Sequence, residues 1–152
     1  MRVAAVFRPL SRFAAIALLV VVPHAAFGQV KSILPDIAAV RGLTNSVMSK
    51  VGDGDMEGGL RLMQPYMVIP DSEFEATVGQ AKLQTPVMSQ RFGKSVGAEH
   101  VREEKFGERL LKITQLQLFE RHAARWSFYF YRTPRGWVLN TFNLDDNIKS
   151  YF

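Results

Sequence analysis

The sequence predicts an α+β domain: N-terminal helices packed on a curved antiparallel sheet of about four strands, closed by a short C-terminal helix. Three observations carry this reading. Between residues 36 and 92 apolar positions recur every three or four residues, punctuated by proline and glycine. After Gly97 the period shortens to two, with Ala124, Trp126, Phe128 and Phe130 alternating against Arg125, Ser127, Tyr129 and Tyr131. Thr133-Pro134-Arg135-Gly136 then turns the chain into Trp137-Val138-Leu139, which marks a hairpin. Helices followed by antiparallel strands form two layers, with the helices covering one sheet face.

The chain opens with a segment of another kind. Arg2, Arg8 and Arg12 precede an apolar run from Phe13 to Val22; Pro23 ends it, and Ala26-Phe27-Gly28 offers small residues for cleavage. This is the three-part pattern of a secretory signal peptide. Residues 1–28 are therefore expected to be removed near Gly28, leaving 29–152 as one domain in the periplasm or secreted beyond it. The ten residues between Arg12 and Pro23 fall short of the roughly 20 that a spanning helix needs, so no stable membrane insertion is expected after cleavage. The chain has no cysteine, so it offers no disulfide and no thiol for lipid attachment, and packing alone must hold it. Three of the 19 basic residues lie in the leader, which leaves 16 against 14 acidic ones and a net +2 in place of +5. A balance that even predicts no nucleic-acid partner, which wants a concentrated basic stripe.

Each element has its own signal. Pro35 and Asp36 start a first helix whose apolar face is Ile37, Val40, Leu43, Val47, Met48 and Val51, and Gly52 stops it. Asp55 caps a short second helix carrying Met56, Leu60 and Met63, which Pro65 ends. Ser72 and Glu75 match a capping box before a third helix presenting Phe74, Val78 and Ala81, and Pro86 is expected to kink or divide it. Strands are expected near 98–106, 109–119, 123–132 and 136–144. The second changes alternation phase partway, which predicts a bulge within it. Asp145 or Asp146 then caps a closing turn with Ile148, Tyr151 and Phe152.

This order of elements, ending in the Gly136-Trp137-Val138-Leu139 strand and a short aromatic tail, resembles the nuclear-transport-factor-2-like superfamily. It is similar in particular to small exported bacterial members of uncharacterised role, over roughly residues 36–152. Cystatin-like domains share the same plan of helices on a curved sheet. The resemblance implies a cone between helices and sheet, and a far sheet face that often forms a dimer interface. It implies two kinds of role, binding on one hand and isomerase or dehydratase chemistry on the other, because a fold does not set a function. The enzymes of the superfamily use an acidic residue or histidine inside the cone. No position here matches their motif, so no catalytic residue is carried over.

The chemical motifs are sparse. Asp53-Gly54-Asp55-Met56-Glu57-Gly58 resembles the start of a calcium loop, but the closing position is Gln64 where a bidentate carboxylate belongs, and Pro65 follows. A turn with Asp55 as a helix cap is the expected role, and no metal is assigned. Gly93-Lys94-Ser95 lacks the earlier glycine of a phosphate loop, since Met88 stands there, and is read as a polar turn. Alternation places His100 on the face opposite Glu99 and Glu103, which argues against an acid–base pair. His122 is expected to be exposed at a turn. No cofactor is expected, and the reading leans away from an enzyme.

Binding is better supported. Arg125, Tyr129 and Tyr131 share one strand face, and tyrosine with arginine combines apolar contact with hydrogen bonding as partner surfaces do. The expected partner is a second copy, giving a homodimer, or another envelope protein. Trp126, Phe128, Phe130, Trp137 and Phe142 on the other face, with Met48, Met63, Met67 and Met88, are expected to fill the cone. The alternative role is a small apolar ligand in that cone, with Tyr66 at its mouth.

Overall fold

The computed structural model describes residues 30–152, so the expected signal peptide lies outside the described residues. Three helices come first: α1 (Ile37–Gly52), α2 (Met56–Met63) and α3 (Asp71–Phe92), with a 3-10 turn at Gln64–Tyr66 between the last two. Four strands follow: β1 (Ser95–Phe106), β2 (Leu110–Phe119), β3 (Ala123–Thr133) and β4 (Gly136–Asp145). They form a curved antiparallel meander in the order β1-β2-β3-β4, and a 3-10 turn at Ile148–Tyr151 closes the chain. The α+β fold is thus as expected. None of the described helices is long and apolar enough to cross a membrane.

The first two helices start where their caps place them. The Asp36 carboxylate accepts from the Ala39 amide at 2.8 Å, and the Asp55 carboxylate from the Gly58 amide at 2.8 Å. Val40, Val47, Met48 and Val51 of α1 and Met56, Leu60 and Met63 of α2 are buried, as their spacing requires. They meet Trp126, Phe128, Phe130 and Leu139 from the sheet in one core. Gly52 lets α1 approach the sheet, since a Cβ there would lie 2.8 Å from the Gly97 carbonyl carbon.

α3 departs from expectation twice. It begins after Pro70, with Ser72 already inside the helix and no side-chain cap. The expected capping box does not form, because its glutamate is spent elsewhere: Glu75 accepts from Arg61 at 2.9 Å. The helix also runs through Pro86 undivided for 22 residues. Phe74 and Val78 hold one end in the main core, and Phe92 holds the other against Phe119 and Ala124. Two anchored ends keep the helical path across the lost hydrogen bond.

The bulges also fall elsewhere. β2 pairs with β3 without interruption, and the extra residues are Val96 and Val101 in β1 and Asn140 in β4. β2 keeps one phase throughout: Leu111, Ile113, Gln115, Gln117 and Phe119 are all buried. Two glutamines on the covered face produce the apparent switch. Their amides are matched: Gln115 donates to Asn45 at 3.1 Å, while Gln117 donates to the Val51 carbonyl at 3.2 Å and the Ser95 hydroxyl at 3.0 Å. The Trp126 indole N–H completes the set by donating to Gln117 at 3.3 Å.

The sheet edges differ. Leu34 pairs with Trp137 through reciprocal backbone bonds of 2.9 and 2.8 Å, and Met67 bridges Leu139, so the start of β4 is covered. Gly136 permits this: its φ is +140°, and a Cβ there would lie 2.6 Å from the Leu34 carbonyl oxygen. β1 is the open edge. Its two bulges and its charged residues from Glu99 to Lys105 discourage strand addition.

Candidate functional site

The sheet face turned away from the helices is built by register. Phe106 stands opposite Leu110, Leu110 opposite Tyr131, and Tyr131 opposite Val138. One row therefore crosses all four strands and carries apolar or aromatic side chains throughout. Phe106 is 80% exposed, Leu110 46% and Tyr131 39%, whereas Val138 is buried. The next row is Glu104, Lys112, Tyr129 and Thr141, with Tyr129 37% exposed and the Lys112 ammonium 5.8 Å from its ring centre. Beyond it the small residues Thr114 and Ser127 are buried at the middle of the face.

At the far end Arg125 is engaged on two sides. Its guanidinium donates to Asp145 at 2.9 and 3.0 Å, and it lies 4.9 Å from the ring centre of Tyr151. Burial pushes the Tyr151 hydroxyl above its ordinary titration range, and Arg125 opposes that shift. Tyr151 and Thr114 each bury a hydroxyl oxygen with no hydrogen-bond partner among the described residues. Three more charges on the face cluster together: Glu104 lies 3.1 Å from Arg102 and 3.3 Å from Lys112.

Of the expected site residues, Arg125, Tyr129 and Tyr131 are together on this face. Tyr66 is elsewhere, half-buried against the main core, and lines none of the described recesses. Tyr131 also borders a shallow recess of about 770 Å³ with Ile33, Val68, Pro134 and Val138. Phe106 and Leu110 were missed. The available signal was their place at either end of the Gly107 turn, where hairpin pairing sets them side by side and next to Tyr131.

Two histidine expectations need correction. Because Val101 is an extra residue, His100 pairs with Gln115 and Glu103 with Ile113, so both are on the helix-covered side. Glu99 pairs with Leu116 and alone points outward. Glu103 accepts from Arg41 at 2.8 and 3.1 Å, and these bonds hold its carboxyl below the usual range. It is thus a carboxylate committed to an ion pair. His122 is half-buried, stacked 4.3 Å from the Phe92 ring, with Nε2 3.1 Å from the Asp146 carbonyl oxygen. Among the described residues no three histidine, cysteine, aspartate or glutamate side chains gather as a metal site. The Asp55 carboxylate of the calcium-like turn serves its helix cap.

The expected filling of the cone holds for its main part. Trp126, Phe128, Phe130, Trp137, Met48, Met63 and Met67 are buried together, with Phe142 half-buried beside them. Recesses of about 260, 250 and 370 Å³ lie alongside α3, and one of about 360 Å³ lies between α1 and the sheet, bordered by Met48, Ala98, His100 and Gln115. No family model, curated protein or solved structure matches the chain.

Proposed function

We propose that this chain is an exported, non-catalytic binding module, with a fold of the nuclear-transport-factor-2-like kind, that associates with a second copy through its outer sheet face. The exposed row Phe106–Leu110–Tyr131 carries this reading. Large apolar side chains side by side in water are a standing cost, and a partner that covers them recovers roughly 25 cal/mol for each Å² removed from solvent. Tyr129 and Tyr131 suit the centre of such a contact, since aromatic residues dominate binding energy. A second copy suits the charge pattern. Glu99, Glu104 and Asp145 balance Arg102, Lys112 and Arg125 on this face, so two such faces meet without an exposed block of like charge.

The test is the mass of the protein in solution. Wild type is expected to sediment as a dimer at micromolar concentration, and Tyr129→Ala combined with Tyr131→Ala as a monomer that keeps a cooperative thermal transition at a lower temperature, since the dimer's contribution is lost. A monomeric wild type, or a double variant that still dimerises, would remove the reading. Export has its own check: protein recovered from the periplasm should begin at Gln29 by mass.

A further inference from the structure

The long helix α3 is fixed at its ends and free in its middle. Phe74 and Val78 enter the main core near its start, Phe92 is buried at its end, and no residue from Gly79 to Arg91 is buried. The middle of the helix bridges the sheet and leaves a cleft along both flanks. On the β4 side lie two apolar recesses. One, of about 370 Å³, is bounded by Leu60, Ala81, Trp126, Phe142 and Leu144; the other, of about 250 Å³, continues it past Leu144 to Ala124 and Phe92. On the β2 side a recess of about 260 Å³ has a polar rim that includes Asp53, Ser89, Lys94 and Ser95. Met56 and Met88 each line recesses on both sides of the helix, so two thioether side chains divide trough from polar pocket. Methionine is unbranched and adaptable, which makes it a partition that can move.

We infer that this cleft binds a single-chain amphiphile, an alkyl or acyl chain bearing a carboxylate, with the chain in the trough and the head beside Lys94. One flank of α3 and the β4 residues Phe142 and Leu144 wall the trough, and at one end Arg91 reaches Asp146 at 3.5 Å while lying 4.8 Å from the Phe92 ring centre. An alkyl chain meets Leu60, Ala81, Trp126, Phe142 and Leu144 in the larger recess, with Glu73, Gln80 and Gln84 of α3 beside them. That recess falls within the roughly 300–1,000 Å³ of small-molecule sites. Lys94 makes no ion pair, and neither its ammonium nor the Ser89 hydroxyl donates a hydrogen bond among the described residues. Asp53 is the one acid lining the polar recess, and it is exposed on the turn between α1 and α2. The cleft is on the sheet face opposite the proposed dimer contact and shares with it only Asp145, so substitutions at Ala81, Gln84 and Lys94 report on the cleft apart from Tyr129 and Tyr131.

Trp126 borders the trough and reports on it. In a Trp137→Phe variant it is the only tryptophan, and terminally brominated dodecanoate is expected to quench it saturably. Each two-carbon shortening of the chain should weaken binding by about tenfold, the weight of two methylenes removed from water. Ala81→Phe is expected to abolish the quench by filling the trough, and Gln84→Phe, at an exposed position of the same wall, repeats the test if the first variant folds poorly. Lys94→Met should weaken the carboxylate while leaving a brominated alcohol of equal length unaffected. Quenching that rises linearly without saturating would overturn the proposal, as would unchanged affinity in folded trough variants. Equal carboxylate binding by Lys94→Met would overturn the placement of the head.

Discussion

Gln117 is the joint between α1 and the sheet. Its amide donates to the Val51 carbonyl at the C-terminus of α1, and its oxygen accepts from the Trp126 indole. That carbonyl also accepts from the Gly54 amide at 3.0 Å and the Ser95 hydroxyl at 3.1 Å. A buried amide is tolerated because its own polar atoms are matched, and because the Trp126 indole N–H would otherwise be unpaired away from water. We predict that Gln117→Leu lowers stability by about 1–2 kcal/mol, because it strands the Trp126 indole N–H, while the Val51 carbonyl keeps the Gly54 amide and the Ser95 hydroxyl. An unchanged urea midpoint would mean the indole N–H finds another partner. The residue was invisible as a core position in sequence. Polarity marks glutamine as outward, while Leu116 and Leu118 beside it read as inward, and only the unbroken pairing with β3 reverses both. Arg125, Tyr129 and Tyr131 were legible, because Trp126, Phe128 and Phe130 between them leave no doubt about which face is dry.

α3 is the element in which local and global demands conflict. Pro86 removes a helical hydrogen bond in a stretch that buries nothing, and the helix continues because both ends are anchored. We predict that Pro86→Ala raises stability by about 2 kcal/mol: alanine relieves roughly 3 kcal/mol of helix penalty and returns up to about 1 through the freer unfolded chain. A fall in the melting temperature would show that Pro86 fits a local geometry alanine cannot serve. β1 carries the opposite lesson. Its alternation was read as unbroken, and the one extra residue at Val101 moved Glu103 to the covered side, where Arg41 receives it. A bulge in a charged, exposed edge strand leaves no hydrophobic signature, because both faces there are polar.

The molecule as a whole is laced by exposed ion pairs. Arg61 joins α2 to Glu75 of α3 and sits near Glu57, Lys82 of α3 also reaches Glu57, and Lys31 holds Asp71. Hydrogen bonds from these cations hold the carboxyls of Glu57, Asp71 and Glu75 below their ordinary values, and the Gly58 amide does the same first of all for Asp55. A carboxyl lowered on folding contributes stability that is complete above its unfolded value and lost as pH falls through the folded one. Stability is therefore expected to be flat above about pH 5 and to decline from about pH 4 downward. Urea midpoints at neutral pH and in the acid range test this. Equal midpoints would show that the pairs are matched equally in the unfolded chain.

By itself the sequence determined the order and type of the elements, the caps of α1 and α2, and the aromatic face of β3. These follow from short-range periodicity, which is imposed by backbone geometry and needs no knowledge of distant residues. The tertiary structure alone decided the burial of Gln115 and Gln117, the continuous path of α3, the bulges in β1 and β4, and the meeting of Phe106, Leu110 and Tyr131 in one row. Each of those depends on what a residue meets across strands or layers. The row exists because antiparallel pairing sums three separate turns of chain into one line, and no single segment contains it.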